Sequence, residues 1–317
     1  MKPLGFDIGD LQVFVEVAES GSMTAAAHRL GMTQPAVSHT VRRLESGLGT
    51  TLLDRRIRPL RLTTTGAVVQ EHAERGLADM SALQRRLRMT DTQTVAQVSI
   101  GMIDSFSVTV GPQLIKSLQD QAEQLSMWSG ISPNLESDLL RRDLDFIVTP
   151  TPLEDVTGLE HHALYQDPYL VVVHNRDRQN YDSLESLSAA RDFVRYSGRS
   201  RIGEQIERHL RWLRLQPPQR LEFDGTEAVL SMVAAGLGWA ITTPLCLLQV
   251  RSYLSTIRSI ALPGPALDRN LYLVGRKDEF TDLQRRMIAR TRSILRELIN
   301  TQLSGHHKWL ARHIVIH

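Results

Sequence analysis

The apolar residues near the start of the chain recur with the period of an α-helix. They follow i, i+3, i+4, i+7 spacing and are Leu11, Phe14, Val15 and Ala18. This spacing places the four side chains on one face, so it predicts an amphipathic helix from Asp10 to about Ser20 that ends at Gly21. The apolar face of such a helix must pack on another element, and the residues that follow supply one.

Two short helices with a tight turn between them are predicted over residues 23–48. Ser22 can accept a backbone N–H at the start of the first helix, and Gly31 ends it. Thr33 caps the second helix, with Pro35 in its first turn, where a missing N–H costs nothing. One stripe of that second helix is apolar throughout and consists of Val37, Val41, Leu44 and Leu48. The pattern is typical of a helix-turn-helix whose second helix is buried along one side.

Another side of that second helix carries hydrogen-bonding groups and no apolar residue. The polar residues of this helix and its start are Thr33, Gln34, Pro35, Ser38, His39 and Arg42. Amide, hydroxyl and guanidinium groups contact base edges and phosphates, so this face predicts a recognition helix that lies in the major groove of DNA. The alternative is an ordinary helical hairpin with a solvated polar face.

Two short apolar runs with a basic tip between them follow the second helix. Residues 52–53 and 60–62 are predicted to pair as two short strands. The tip between them reads Arg55, Arg56, Ile57 and Arg58. Arginines on such a wing can enter a narrow minor groove or bind phosphates, so Arg55 and Arg58 are predicted to contact DNA. A solvated charged loop is the alternative.

A long helix without proline is predicted from Thr63 or Thr64 to about Met89. Apolar or small residues recur along it at alternating spacings of four and three, namely Val69, Ala73, Gly76, Met80, Leu83 and Leu87. This heptad-like seam predicts a helix that pairs with another helix and so joins two DNA-binding heads. Packing of the seam against the head of the same chain is the alternative.

From Gln93 onward, strand patterns alternate with helix patterns. VAQVSIGMI is an alternating β-branched run, PYLVVVHN is a continuous apolar run, and TDLQRRMIARTRSILRELI is predicted to be a helix. Such alternation predicts an α/β fold with a mostly parallel sheet, in which PYLVVVHN is a buried parallel strand. Open α/β sheets bind ligands at the carboxyl ends of their strands, beside helix amino ends.

Polar residues that follow the predicted strands are the candidate ligand-binding residues of this second part. They are Ser105, Ser107, Ser197, Arg199, Thr226, Gly238 and Thr242. Arg199 precedes a predicted helix and can bind a carboxylate through two hydrogen bonds, which predicts a small anionic effector. Helix capping is the alternative role of each serine and threonine. Arg195 and Arg201 are predicted to be solvated.

The charge of the chain is unevenly distributed, although the net charge of its 317 residues is only +2. Residues 29–61 hold seven arginines and two acidic residues, which favours a polyanionic partner for this part. No apolar run reaches the roughly 18–20 residues of a membrane helix. The first ten residues lack the apolar core of a signal peptide. A cytoplasmic protein without membrane contact is therefore expected.

Few residues suggest redox, metal or enzyme chemistry. Cys246, the single cysteine, excludes an intrachain disulfide, and its apolar neighbours predict a core position. The tail GHHKWLARHIVIH holds four histidines at a spacing typical of no metal site, so no metal or cofactor is expected. The chain has no G-x-S-x-G elbow, phosphate-binding loop or dinucleotide fingerprint, which argues against an α/β enzyme, the first rival function.

Residues 11–66 resemble the LysR-type transcriptional regulators. The matching segments are FVEVAESGSMTAAAHRLGMTQPAVSHTVRRLESGLG and LLDRRIRPLRLTTTG, and the spacing from helix-turn-helix to wing to linker helix agrees. The resemblance implies that residues 33–35 and Ser38 begin the recognition helix and that Arg55 and Arg58 lie on the wing. His39 stands where the family usually has arginine, and Thr65 stands where it usually has alanine.

The resemblance also implies the rest of the architecture. It divides the chain into an all-α winged helix-turn-helix at 1–65, a linker helix at 66–92 and an effector domain at 93–317. That effector domain would have two lobes, as in a periplasmic solute-binding protein, at about 93–166 with 271–300 and at about 167–270. A ligand cleft would lie between the lobes.

The partners implied by the resemblance are double-stranded DNA, a small-molecule effector, further copies of the chain in a homodimer or homotetramer, and RNA polymerase. The second rival function is a one-component sensor of another kind, such as a sugar-type repressor. A repressor of that kind has a short hinge where this chain is predicted to have a long helix.

Overall fold

The computed structural model describes residues 5–56, 59–88, 95–303, 310 and 314–317. The chain divides into two compact units. The first comprises residues up to 91 together with 141–143, and the second comprises 92–140 and 144–317. Arg58, predicted at the tip of the wing, lies outside the described residues, as does most of the histidine-containing tail.

Four helices and one small hairpin make up the first unit as described. The helices are Ile8–Ser20 (α1), Met23–Leu30 (α2), Gln34–Leu48 (α3) and Thr64–Arg88 (α4). The hairpin pairs Leu53–Asp54 (β1) with Arg61–Leu62 (β2) in antiparallel register. The predicted helix-turn-helix, wing and long linker helix are therefore confirmed as elements.

Local side chains determine where α2 and α3 begin and end. Ser22 accepts the backbone N–H of Ala25, and Thr33 accepts that of Ala36. Gly31 ends α2 with a φ of 65°, a left-handed conformation that glycine adopts without strain. The tight turn between the two helices follows from these capping residues.

The core of the first unit consists of the apolar stripes of its first three helices and the start of the hairpin. Its buried members are Val13, Phe14, Val17, Ala26, Ala27, Val37, Val41, Leu44, Leu52 and Leu53. On α4, Val69 packs against this core and Ala73 is buried, whereas Met80 and Leu83 are 43 % and 48 % exposed. The seam of α4 thus contacts the core of the first unit at Val69 and Ala73 and is exposed at Met80 and Leu83.

Eleven strands are described in the second unit. They are Val95–Ile103 (β3), Ala122–Gly130 (β4), Phe146–Thr149 (β5), Leu159–Pro168 (β6), Leu170–His174 (β7), Val194–Tyr196 (β8), Leu221–Phe223 (β9), Ala240–Thr242 (β10), Ile257–Ala261 (β11), Asp268–Arg276 (β12) and Val315–Ile316 (β13). Six of them form a sheet in the order β13-β6-β12-β5-β3-β4. In it β3 is parallel to β4 and β5, whereas β12 is antiparallel to β5 and β6.

The sheets of the second unit are mixed, so the prediction of a mostly parallel sheet is wrong. Strands β10, β7 and β11 form a three-stranded antiparallel sheet, and β8 pairs with β9 in parallel. The run PYLVVVHN contains β7, and both neighbours of β7 are antiparallel to it. A continuous apolar run reflects burial on both faces and carries no information about the direction of neighbouring strands.

Helices cover these sheets. They are Asp104–Thr109 (α5), Gly111–Leu118 (α6), Ser132–Leu140 (α7), Leu184–Ala190 (α8), Arg201–Trp212 (α9), Thr226–Ala234 (α10), Pro244–Gln249 (α11) and Thr281–Leu298 (α12). None of the helices in the described residues combines the length and the apolar character that crossing a membrane requires.

Two hydrophobic clusters give the second unit its two lobes. One cluster joins β3, β5 and β12 to α6 and α12, with Phe146 and Met287 fully buried in it. The other joins β7 and β10 to α9 and α10 around the fully buried Trp239. The domain and lobe bounds proposed from the resemblance stay a prediction.

Candidate DNA interface and effector cleft

The exposed side of α3 presents most of the predicted DNA-contacting residues together. Val37, Val41 and Leu44 are fully buried in the core of the first unit, which fixes the rotation of α3 about its axis. The predicted residues that this rotation leaves exposed are Thr33, Gln34, Pro35, His39 and Arg42, and Ser38 is half-buried beside them. A face with this composition can donate hydrogen bonds to base edges and phosphates.

An ion pair that sequence reasoning missed joins α1 to α3. The carboxylate of Asp10 is fully buried, and Nε of Arg43 donates to both of its oxygens at 3.0 Å. The hydrogen bond and the charge of Asp10 raise the pKa of Arg43. The sequence shows Arg43 only as one more basic residue. In the structure its guanidinium, 49 % exposed, neutralises the buried carboxylate of Asp10, whereas the neighbouring Arg42 is exposed without that partner.

The base of the wing is tied to α3 through Glu45. One carboxylate oxygen of Glu45 accepts the backbone N–H of Leu52 at 2.9 Å, and the other accepts a hydrogen bond from Arg55 at 2.7 Å. Arg55 is 41 % exposed, so its guanidinium both orients the wing and remains accessible to solvent. Arg56 is exposed beside it.

A cleft of about 510 Å³, open mouth included, lies in the second unit at strand ends. It is lined by residues at the ends of β3, β4 and β8 and by the first residues of α5, α7, α9 and α10. The amino ends of helices carry partial positive charge and unpaired N–H groups, which favour an anionic group of a ligand. The cleft is therefore where the sequence predicted a ligand site, at the carboxyl ends of strands.

The floor of the cleft contains a buried arginine that sequence reasoning missed. Arg269, on β12, is 5 % exposed and donates through Nε and Nη2 to Asp167 at 2.9 and 2.8 Å. Nη2 also donates to the hydroxyls of Ser105 and Thr243, at 3.3 and 3.0 Å. Burial opposes the charge of Arg269, but the adjacent Asp167 outweighs it and raises the pKa of Arg269.

The guanidinium of Arg269 retains a donor for a ligand. Arg269 lines the cleft, and within the described residues its Nη1 makes no hydrogen bond, since the contacts of this side chain run through Nε and Nη2. No signal in the strand sequence DRNLYLVGR identifies this residue, because its partners lie 102 and 164 positions away.

Two of the predicted effector-binding residues line the cleft. Ser105 is buried and accepts the hydrogen bond from Arg269, and Thr226 is buried with its hydroxyl 3.6 Å from Sγ of Cys246. Cys246 also lines the cleft, although it is 1 % exposed. These side chains form one polar surface next to the guanidinium of Arg269.

The other predicted effector-binding residues lie outside the lining of the cleft. Ser107 and Ser197 are buried, and Thr242 is buried with its hydroxyl 2.9 Å from that of Tyr196. Gly238 serves strand packing, because a Cβ there would lie 2.1 Å from the carbonyl oxygen of Asp192. Arg199 is exposed and does not line the cleft, so Arg269 replaces it as the candidate cation.

The prediction that Arg195 and Arg201 are solvated is wrong for Arg195, which is buried, whereas the side chain of Arg201 remains 37 % exposed although it is paired. Arg195 is 3 % exposed and donates to Glu207 and to the carbonyl of Pro217 at 2.8 Å. Arg201 lines the cleft and pairs with Glu204 at 2.9 Å and with Glu136 at 3.7 Å. Arg195 of β8 pairs with Glu207 of α9, and Arg201 pairs with Glu136 of α7 and with Glu204 one turn further along α9. These partners lie on other elements or turns, so the sequence around each arginine does not indicate them.

Within the described part of the chain, no group of three or more histidine, cysteine, aspartate or glutamate side chains is arranged to hold a metal ion. Three of the four histidines of the tail, His306, His307 and His313, lie outside the described residues.

Comparison with known families agrees with both units. The family model for the bacterial regulatory helix-turn-helix protein, lysR family, matches residues 8–67. The model for the LysR substrate binding domain matches residues 91–295.

Individual relatives and solved structures are similar over most of the chain. The HTH-type transcriptional regulator YfeR of Shigella flexneri is 26 % identical, over 87 % of this chain and 89 % of its own length. XapR of Escherichia coli is 26 % identical, over 73 % of this chain and 80 % of its own length. A full-length cysteine-to-aspartate variant of OxyR from Pseudomonas aeruginosa superposes with a TM-score of 0.67 at 19 % identity, covering 90 % and 95 % of the two chains. Full-length CbnR in complex with its target DNA superposes with a TM-score of 0.63 at 22 % sequence identity, and the match covers 91 % of this chain and 100 % of that chain.

Proposed function

This chain belongs to the LysR family of bacterial transcriptional regulators, and on that premise we propose that the exposed side of α3 reads its operator while the cleft binds the effector that sets its activity. It is a DNA-binding regulator with a substrate-binding domain, and its family is one of regulators and not of enzymes. The observation that supports the effector proposal best is the position of Arg269, a buried cation at the floor of a cleft lined by helix amino ends.

A sensor of the sugar-type repressor kind does not fit the linker. The α4 helix runs without interruption over 25 residues, from Thr64 to Arg88, where such a repressor has a short hinge. Both LysR family models match this chain, which likewise supports a LysR regulator over a sugar-type repressor.

For the DNA interface, Gln34 is proposed to read a base. A glutamine amide can donate to and accept from one adenine edge, so replacing Gln34 with alanine should cost roughly 1–3 kcal/mol of operator binding and little on random DNA. Gel-shift titration on both DNAs measures the two losses.

Ser46→Ala is the matched control for Gln34→Ala. Ser46 is exposed on the same helix, near the opposite end, and its removal should leave both affinities unchanged. Equal losses for Gln34→Ala on operator and random DNA would show that Gln34 carries no base specificity.

For the cleft, the effector is proposed to carry an anionic group, a carboxylate, that accepts from Arg269. The hydroxyls of Ser105 and Thr226 and the amino ends of the surrounding helices support an anion at this place. Regulation requires that the effector prefer one arrangement of the protein over another, since equal affinity for both shifts nothing. RNA polymerase stays a predicted partner.

A carboxylate-bearing metabolite should raise the Tm of the full-length protein, because a ligand that binds only the native state stabilises it by mass action. Arg269→Lys keeps a positive charge beside Asp167 but loses the planar fork, so the affinity should fall by about tenfold or more. Thermal-shift titration of a carboxylate panel measures the affinities.

Arg199→Ala, a change outside the cleft, is the control and should keep the wild-type affinity. The carboxylate assignment is wrong if Arg269→Lys binds as well as the wild type, or if every ligand that raises Tm lacks a carboxylate.

A further inference from the structure

The charged residues that line the cleft are unequally neutralised. They are Asp104, Arg201, Asp224 and Arg269. Arg269 is paired with Asp167, and Arg201 is paired with both Glu204 and Glu136. Each arginine of the lining therefore already has at least one carboxylate partner inside the protein.

The two aspartates of the lining have no such partner among the residues that the structure describes. Asp104 accepts a hydrogen bond from the hydroxyl of Ser129, and among the described residues neither Asp104 nor Asp224 lies in an ion pair with lysine, arginine or histidine. Both residues are exposed to the cleft. Two negative charges without a cation at the mouth of a cavity favour a ligand group of opposite charge.

A second and independent feature of the same cavity points to a ligand. Arg269 is 5 % exposed, lines the cleft and holds a guanidinium Nη1 that makes no hydrogen bond within the described part of the chain. A guanidinium donor that faces the cleft and has no acceptor there can bind an anionic group of a ligand. The cleft therefore offers a donor to an anionic group and two acceptors to a cationic group.

The two kinds of group line the same cleft. Asp104 directly precedes Ser105, whose hydroxyl accepts from Arg269 at 3.3 Å, and adjacent Cα atoms are about 3.8 Å apart. On the other lobe, Asp224 is two residues from Thr226, which lines the same cleft. Each lobe thus places a carboxylate next to a residue of the polar floor.

Resting on the proposed function of the cleft, we infer that the effector is amphoteric, an α-amino acid or a close analogue that carries both a carboxylate and a protonated amine. The carboxylate accepts from Arg269 at the floor, and the amine donates to Asp104 of one lobe and Asp224 of the other. A ligand held in this way joins both lobes through one charged group.

The test uses the full-length protein and chemically matched probes. The probes are the twenty proteinogenic amino acids, their N-acetyl derivatives, which lack the charged amine, and the amines left when the carboxylate is removed. At least one free amino acid should raise Tm by roughly 5 °C at a hundredfold excess over its Kd. Its N-acetyl derivative and its decarboxylated amine should each bind at least tenfold more weakly.

Two variants locate the amine. Asp224→Asn removes a charge at nearly constant shape, so it should weaken the amino acid by about tenfold and leave the weak binding of the N-acetyl derivative unchanged. Asp120→Asn, an exposed aspartate just after α6 and outside the cleft lining, should change neither.

The outcomes separate this inference from the proposed function of the cleft. If N-acetyl derivatives bind as well as the free amino acids, or if Asp224→Asn binds them as the wild type does, the cleft takes a simple carboxylate and the inference is overturned while the function stands. If no amino acid raises Tm, the inference is overturned, and the carboxylate panel then decides the function separately. Tight binding of the decarboxylated amines overturns both the inference and the carboxylate assignment.

Discussion

Replacing Asp167 with alanine should destabilise the effector-binding unit by about 3–5 kcal/mol, the typical cost of removing one partner of a buried ion pair. Asp167 is fully buried, accepts two hydrogen bonds from Arg269, and accepts the backbone N–H of Leu245 at 3.3 Å. Without it the guanidinium of Arg269 is left charged in the interior, because its pKa lies too high for it to lose the proton. Urea unfolding followed by circular dichroism measures the change.

Two further variants show whether the unpaired charge is the cause. Asp167→Ala combined with Arg269→Met removes both charges, so the double variant should recover most of the stability that the single variant loses. Asp192→Ala breaks the exposed pair with Arg220, whose side chains are 39 % and 68 % exposed, and should cost at most about 1 kcal/mol. A cost for Asp167→Ala no larger than that of Asp192→Ala would contradict the importance of the buried pair.

Replacing Leu83 with aspartate should convert the protein to monomers and weaken operator binding by roughly 100-fold or more. Met80 and Leu83 are exposed on the second half of the α4 seam, while Val69 and Ala73 are covered by their own head. We propose that the exposed half pairs two chains, so an aspartate there would bury a charge between helices. A monomer binds one half-site and loses the gain from simultaneous binding of two.

Val68→Asp is the matched control for the α4 seam. Val68 is 53 % exposed on the same helix but lies one residue away from the seam, so the same chemical change there should leave the dimer intact. Sedimentation velocity reports the oligomeric state and gel shift reports the operator affinity. A Leu83→Asp protein that remains dimeric would remove the α4 seam as the dimer interface.

The DNA-binding head was predicted well because its signals are local. Helix ends at Ser22, Gly31 and Thr33 depend on hydrogen bonds to residues three or four positions away. The buried stripe of α3 repeats with the helical period, so its polar side could be assigned before any tertiary contact was known. The buried partner of Arg43 could not be assigned, since Asp10 lies 33 residues away on α1.

The effector cleft was predicted less well, although its location was anticipated. The sequence predicted ligand-binding polar residues at strand ends. Two of them, Ser105 and Thr226, line the cleft, and their role in binding a ligand stays a prediction. The sequence favoured Arg199, because an arginine before a helix start is a visible local pattern. Arg269 has no such pattern around it, and Arg199 proved to be exposed outside the lining.

By itself, then, the sequence determined the helices, the wing, the long linker and the alternation of strands and helices, since spacing and capping act between residues close together in the chain. Only the tertiary structure decided the strand directions, the half of the α4 seam that is exposed, and the charges that meet in the cleft. Arg269 reaches Asp167 and Ser105 across 102 and 164 residues because β12 is inserted between β5 and β6. Strand order determines these encounters, and no local pattern encodes it.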